Sequence, residues 1–477
     1  MESEEVRKIG KLLEPYVTYD GFNLWDICFG GIYNVFLKNP SRKNFLFTIK
    51  SNIIRMQISR IHKKRETVVQ KELKDSDIFA LTYDINHVHT IIPLLKKFNH
   101  EIIQFDSPSK EITKKTLEKL SLPYLGLDSL MDIEMAEKLL AADKFLDGKW
   151  KDFESDEKIK KILGENYEFI YDVLKYHMKT RRRFLEVIRM ELLVEKLYSL
   201  KKCKLIIVSD DVNPLGQIAC KLAREKNIKS LVMQHGQLVG NPLGVISADK
   251  MVVNGYADKK YLEEMGAEVE KIIVTGQPRF DKLSEMNLSK SLACEDLGWD
   301  KTKKRLIFSL QMPTKGENVT VSAAKCFIEE VNKIKDKENY EFVITHRPDF
   351  DEKFLPTIPE GLEIKFSTTE DIHKVILSSD VYITAFSTLA VEAVLLNRPV
   401  LSINLDSNEY VDYSKAGVGH RILNAEEFLP RLNEILEEEK FKEKFKVARE
   451  KFIENYNYKL DGNARERIIR VIDKLLL

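Results

Sequence analysis

The stretch SDVYITAFSTLAVEAVLLNRPVLSINL, from Ser379 to Leu405, constrains the fold of this chain more than any other. Val381, Tyr382 and Ile383 have the β-branched and aromatic character of a buried strand. Leu389 to Leu396 has helix-forming composition, and Asn397 with Pro399 supplies a stop before the next apolar run. Strand, polar turn, helix and strand in so short a span make a βαβ unit, which requires a parallel sheet with helices against its faces. The turn carries Ser387 and Thr388 at a helix start, where backbone N–H groups lack intrahelical partners and the dipole favours an anion such as phosphate. Glu392 follows one turn on, where a carboxylate can accept hydrogen bonds from sugar hydroxyls. Together they suit a nucleotide; an ordinary cap at Ser387 or Thr388 with a solvated Glu392 is the competing reading.

The same alternation recurs on both sides. From Asp77, DIFALTYD, a helix around Val88 to Lys97, EIIQFD and a helix around Ile112 to Leu120 read as βαβα. After a charged helical stretch from Met131 to Leu200 come KLIIVSDD, SLVMQHGQ, KMVVNGY and KIIVTGQPRFD, four apolar runs that each stop in polar or glycine residues. Neighbouring parallel strands end on one edge, so Asp210, Asp211, His235, Gly236, Asn254, Gly255, Gly276, Gln277 and Arg279 are expected along one rim, with Gln237 beside Gly236 as a further substrate contact. His235, followed by Gly236, offers a general base on backbone that a ligand can approach. A second series follows. RLIFS leads to Gln311 and Thr314, and YEFVIT ends at His346 and Arg347, donors suited to phosphate. LEIKF leads to Ser367-Thr368-Thr369-Glu370, a capping-box pattern. The expected fold class is α/β, two Rossmann-like parallel-sheet domains with a helical N-terminal extension and C-terminal helices. The boundaries fall at 1–76 for the extension, 77–285 for an acceptor domain with a helical insertion at about 131–200, 300–424 for a nucleotide-donor domain, and 425–477 for the C-terminal helices; the polar stretch Lys282 to Lys304 reads as the linker.

Composition excludes several classes. Lys and Arg number 76 against 75 Asp and Glu, leaving no global field to attract nucleic acid. The five cysteines are widely spaced without a CxxC pair, which argues against a zinc signature or disulfide framework and fits a reducing cytoplasm. No run approaches the roughly 18 apolar residues that span a bilayer, and the start MESEE lacks the order of a signal peptide, so a soluble or peripherally bound chain is expected. RMQISRIHKKR, from Arg55 to Arg65, suits anionic lipid headgroups or an anionic acceptor, or is a solvated helix face. His87 and His89 are two apart and share no helix face, and no third ligand is near, so they read as structural or substrate-contacting histidines and no metal is expected.

In order, His235-Gly236, then Gly276-Gln277-Pro278-Arg279-Phe280-Asp281, then Thr384-Ala385-Phe386-Ser387-Thr388 with Glu392 resembles the HG, GxPRxD and TDYSS motif series of CDP-glycerol glycerophosphotransferases and related surface-polysaccharide enzymes. The tandem α/β layout resembles the GT-B architecture of nucleotide-sugar-dependent glycosyltransferases. The resemblance covers about Cys203 to Leu405 and implies His235 as catalytic base, Ser387 and Thr388 beside the donor diphosphate, and Glu392 as the acid that follows. The chain departs from the pattern where Gln237 stands in place of the usual lysine, Ala385 in place of the acid and Phe386 in place of the tyrosine. Those departures shift the expectation from glycerophosphate to a sugar. The expected activity is that of a metal-independent glycosyltransferase, without cofactor, moving a sugar from a nucleotide-sugar donor to a hydroxyl acceptor, lipid-linked or free. It would serve surface polysaccharide or glycoconjugate biosynthesis, in the cytoplasm or at the inner face of the membrane. Closure of the domains would bring His235 to the acceptor hydroxyl; Asp210 and Asp211 are the alternative bases. A UDP-N-acetylglucosamine 2-epimerase-like isomerase, whose SGG-type motif is absent here, a glycerophosphotransferase and a catalytically silent binding subunit are the other readings.

Overall fold

The computed structural model describes residues 3–28, 32, 75–82, 85–105, 117–180, 182–236, 238, 245–286, 289–311, 319–346, 350, 354–368, 371–385, 387–405 and 411–477. Gln237, Thr314, Arg347, Phe386, the basic run at 55–65 and the Thr369-Glu370 half of the capping box lie outside these residues. The chain divides into two compact units, one of residues 1–253, 259–273 and 466–477, the other of residues 254–258 and 274–465.

The first unit is built on a seven-stranded sheet: β1 (Ile78–Thr82), β2 (His100–Gln104), β3 (Tyr124–Gly126), β4 (Leu205–Val208), β5 (Lys229–Met233), β6 (Lys250–Val253) and β7 (Ile272–Val274), in the order β3-β2-β1-β4-β5-β6-β7. The pairings from β3 through β6 are parallel. Helices cover both faces, so every residue of β1 and β4 is buried, which is why they read as continuous apolar runs rather than alternating ones. Ile78, Ala80, Ile207, Leu231 and Met233 form the core with Val88 and Ile91 of the helix Ile85–Leu95 and with Ile468, Ile469 and Ile472 of the helix Ala464–Leu476. Helices Ile133–Ser155, Glu157–Leu163, Tyr167–Lys175 and Arg183–Leu200 occupy the stretch between β3 and β4. The helix Ser3–Val17 joins them, with the Tyr16 hydroxyl donating to Asp156 at 2.5 Å and its ring 5.5 Å from that of Phe153.

The second unit carries six parallel strands: β8 (Lys304–Ser309), β9 (Tyr340–Thr345), β10 (Ile364–Ser367), β11 (Val381–Thr384), β12 (Val400–Ile403) and β13 (Gly419–Ile422), in the order β10-β9-β8-β11-β12-β13. The stretch expected as a linker is part of this unit: the helix Lys290–Leu297, capped by the Ser289 hydroxyl, buries Ala293 in its core and Cys294 against the Arg305 guanidinium. The helix after β10 starts at Ile372 and is capped by Asp371, whose carboxylate accepts the Lys374 N–H at 3.3 Å, so the cap lies later than the capping-box pattern suggested.

Both sheets share one strand order, in which the chain runs outward through three strands, returns to the middle and runs outward the other way. The reversal falls between β1 and β4 in the first unit and between β8 and β11 in the second, and open α/β sheets bind ligands beyond the C-terminal ends of such strands. Among the described residues no helix is long and apolar enough to cross a membrane.

Candidate functional site

In the first unit the reversal point is occupied by two histidines. His235 follows β5 but leans over the end of β4, where its Nδ1 lies 2.8 Å from the Ser209 carbonyl. A carbonyl only accepts, so Nδ1 carries the hydrogen, and in the neutral ring Nε2 is left with a lone pair for a proton. His87, on the helix that follows β1, packs against it with ring centroids 4.4 Å apart. His87 is 1% exposed, and burial, aided by His235, pushes its pKa down to about 2. The pair therefore presents a half-buried ring against a permanently neutral one. The turn is held by Gln234, whose side chain donates to the Gly236 carbonyl at 2.7 Å and whose N–H donates to Val252 at 3.1 Å. Gly236 does not have a positive φ; a Cβ there would meet nothing within 4 Å, so the glycine leaves open space beside His235 instead of permitting a bend.

The two aspartates at the end of β4 serve the fold. Asp210 accepts the Val212 N–H at 2.7 Å and closes a local turn. Asp211 is buried, accepts the Ser247 N–H at 2.7 Å, and has its pKa raised to about 7 by burial. A carboxylate committed inward to a loop backbone does not reach an acceptor, which corrects the expectation that Asp211 stands as an alternative base.

In the second unit the charged centre is Glu392. Its side chain is 8% exposed and clamped from two elements, so it is not the solvated residue of the competing reading. His373, on the helix Ile372–Ser378, places Nε2 2.6 Å from one carboxylate oxygen, and Arg279, on the turn after β7, places a guanidinium nitrogen 3.4 Å from the other. Tyr382 of β11 feels the same charge, its phenol pushed above the ordinary range by burial and by Glu392. Ser387 is buried and serves the chain: its hydroxyl accepts the Leu389 N–H at 3.2 Å and its N–H donates to the Thr384 hydroxyl at 3.1 Å. Thr388 is exposed and makes no side-chain cap to the helix Leu389–Leu395. Of the expected hydroxyl pair, Thr388 is thus the one open to a ligand. Gln311 and His346 lie at the ends of β8 and β9, both half-buried, with the His346 ring 5.1 Å from that of Phe350.

The GQPRFD segment belongs with this second unit and not with His235. Gly276 has φ +83, a conformation that favours glycine. Gln277 donates its N–H to the Asn457 side chain at 2.9 Å and its side-chain nitrogen to Asn254 at 3.3 Å. Asp281 caps the helix Ala464–Leu476 by accepting the N–H groups of Ala464 at 2.9 Å and Arg465 at 2.8 Å. The expected rim therefore separates into His235, Gly236, Asp210 and Asp211 in one unit, and Asn254, Gly276, Gln277 and Arg279 in the other. His373 escaped the sequence reading because a lone histidine beside VILSS reads as part of an apolar helix. His87 reads from sequence as a structural or substrate-contacting histidine, and its spacing to His235 carries no signal. Among the described residues no group of three or more His, Cys, Asp or Glu side chains is placed to hold a metal ion.

Comparison with known proteins places these observations in a family. Over 413 residues the chain is 25% identical to the teichoic acid poly(ribitol-phosphate) polymerase of Bacillus spizizenii; the match covers 79% of this chain and 62% of the relative, so the chain spans under two thirds of that protein's length. A solved structure of a putative UDP-N-acetylglucosamine 2-epimerase from Listeria monocytogenes aligns with TM-score 0.56 and 15% identity, covering 84% of this chain and 96% of that one. The glycotransferase of kitacinnamycin aligns with TM-score 0.50 and 10% identity, covering 85% of this chain and 100% of that one. At such identities the likeness speaks for the fold alone, a GT-B-like pair of α/β sheets. Residues 156–474, more than half of the chain, match the family described as CDP-Glycerol:Poly(glycerophosphate) glycerophosphotransferase, and the chain belongs to that family of transferases.

Proposed function

We propose that this protein transfers a phosphopolyol from a cytidine diphosphate-linked donor to a hydroxyl of a growing cell-surface polymer. Family membership and the polymerase relative support the transferred group; the observation that carries the mechanism is the Nδ1 contact of His235 with the Ser209 carbonyl at 2.8 Å. With Nδ1 committed as donor, Nε2 takes the proton of the acceptor hydroxyl as its oxygen attacks the phosphorus next to the polyol. The bond to the bridging oxygen breaks and cytidine monophosphate leaves, its charge met by donors of the second unit, Thr388, His346 and Arg347 among them. Glu392 accepts hydrogen bonds from donor hydroxyls. The neutral His87 keeps a second positive charge away from the base as it becomes an imidazolium. No metal is needed in this scheme, and the acceptor is free or lipid-linked at the cytoplasmic side of the membrane.

Sugar transfer from a nucleotide-sugar remains the second reading, favoured by Ala385 and Gln237 at positions where the family pattern has an acid and a lysine. The two differ in product: phosphopolyol transfer releases a nucleoside monophosphate, glycosyl transfer a nucleoside diphosphate. Incubating the purified chain with CDP-glycerol, CDP-ribitol and a panel of nucleotide-sugars, each with and without a primed acceptor, tests both. Acceptor-dependent CMP supports the proposal; acceptor-dependent diphosphate, or an isomerised sugar without acceptor, overturns it.

A further inference from the structure

We propose that His373 and Arg279 are positioning residues that hold the Glu392 carboxylate in one orientation for the hydroxyl groups of the donor, so that the arginine of the GQPRFD segment acts through Glu392 and not on substrate. The inference rests on the reading of the second unit as the nucleotide-holding one.

Two separate elements converge on this single carboxylate, which a third carries. Glu392 projects from the helix after β11, one side of the strand reversal where such sheets take ligands. His373 comes from the helix after β10, at 2.6 Å, and Arg279 from the turn after β7, at 3.4 Å. Side-chain exposures of 8% for Glu392, 10% for His373 and 23% for Arg279 describe a cluster closed on the protein side and open where the arginine lies. A glutamate has several rotatable bonds, and ordering it at the moment of binding costs affinity; two donors that fix it beforehand remove that cost. A carboxylate has about four lone-pair sites, so one hydrogen bond to each oxygen leaves acceptor capacity for ligand hydroxyls. A purely structural role would gain little from this arrangement, because an apolar side chain buries at position 392 at no greater cost than a paired charge. The arginine sits in the most distinctive motif of the chain, and its guanidinium also lies over its neighbour Phe280, 4.8 Å from the ring centroid, which fixes its direction.

The test is CDP binding to the full chain by calorimetry, in a double-mutant cycle with Glu392→Gln. Arg279→Met and His373→Leu should each weaken CDP binding about 10-fold, the order expected for loss of a charged hydrogen bond. Each combined with Glu392→Gln should be no weaker than Glu392→Gln alone, because both act through that carboxylate. His373→Gln, which keeps a side-chain N–H donor, should recover most of the affinity and guards against a variant that merely folds poorly. In turnover assays the losses should fall on KM with kcat retained. CDP affinity unchanged in Arg279→Met and His373→Leu, or losses that add fully to that of Glu392→Gln, would overturn the positioning role. Absence of binding of any nucleoside diphosphate to the unaltered chain would instead sink the reading on which it rests.

Discussion

The two strand reversals of this protein have the same topology and opposite electrostatics. In the first unit the ends of β1 and β4 carry a pair of imidazoles, His87 held neutral by burial and His235 oriented by the Ser209 carbonyl. In the second, the element after β11 carries a buried carboxylate fixed by a guanidinium and an imidazole. A ring oriented by a carbonyl, with its other nitrogen open, suits a group that exchanges a proton, whereas a carboxylate held by two donors suits one that keeps its position. On the proposed reading one fold supplies a base in one copy and a binding group in the other, and the difference lies in what each reversal point is lined with.

That contrast can be broken at its strongest point first. His235→Ala should lower turnover by roughly 10² to 10⁴, the range for loss of a general base, measured with the true donor at saturating acceptor. Glu392→Ala should act on binding, weakening nucleotide affinity by about 1 to 3 kcal/mol in calorimetry, as expected where a charged hydrogen-bonding group is lost. His87→Phe, which preserves the packing against His235 with an apolar ring, should cost turnover only about 10-fold, a smaller effect than removing the base itself.

His87→Phe also changes how stability depends on pH. The folded chain refuses a proton at His87 down to about 2, whereas the ordinary value is 6.5, so the unfolded state binds more protons in that window and stability falls as pH drops through it. The variant should therefore lose part of its decline in melting temperature between pH 7 and pH 5. Asp211 has the reverse sign. Its pKa rises from 3.8 to about 7, so the stability it contributes is present below the lower value and is lost as pH climbs through the higher one. Asp211→Asn keeps an acceptor for the Ser247 N–H and should melt above the parent chain, by a margin that widens from pH 5 to pH 8. A margin that shrinks over that range would contradict the buried, inward-facing assignment.

Much of this was legible in the sequence, and the reasons for the remainder are physical. Strand and helix periodicity, with polar stops at strand ends, announced both parallel sheets and brought His235 and Glu392 forward, because His235 follows the end of an apolar strand and Glu392 lies one turn beyond the polar start of a helix. What periodicity does not carry is which strand ends meet. His87 and His235 are far apart in the chain and adjacent only because β1 pairs with β4, which pairs with β5. The same blindness hid His373, and it grouped Arg279 with His235 although the arginine turns toward Glu392. Asp211 looked reactive because two acidic residues closed an apolar strand, a pattern that a buried loop anchor produces equally well. Polar residues in Lys282 to Lys304 suggested a linker, while the burial of Ala293 and Cys294 shows a helix with one apolar face.

The central claim is that proton transfer and nucleotide holding reside in different units, on His235 and on Glu392. Its most direct test measures turnover and nucleotide affinity side by side in His235→Ala and Glu392→Ala. The account predicts that His235→Ala binds the nucleotide as the parent does while turnover collapses, and that Glu392→Ala loses affinity while turnover at saturating donor is largely kept. Nucleotide affinity lost in His235→Ala as heavily as turnover, or near-normal turnover in that variant, would contradict it.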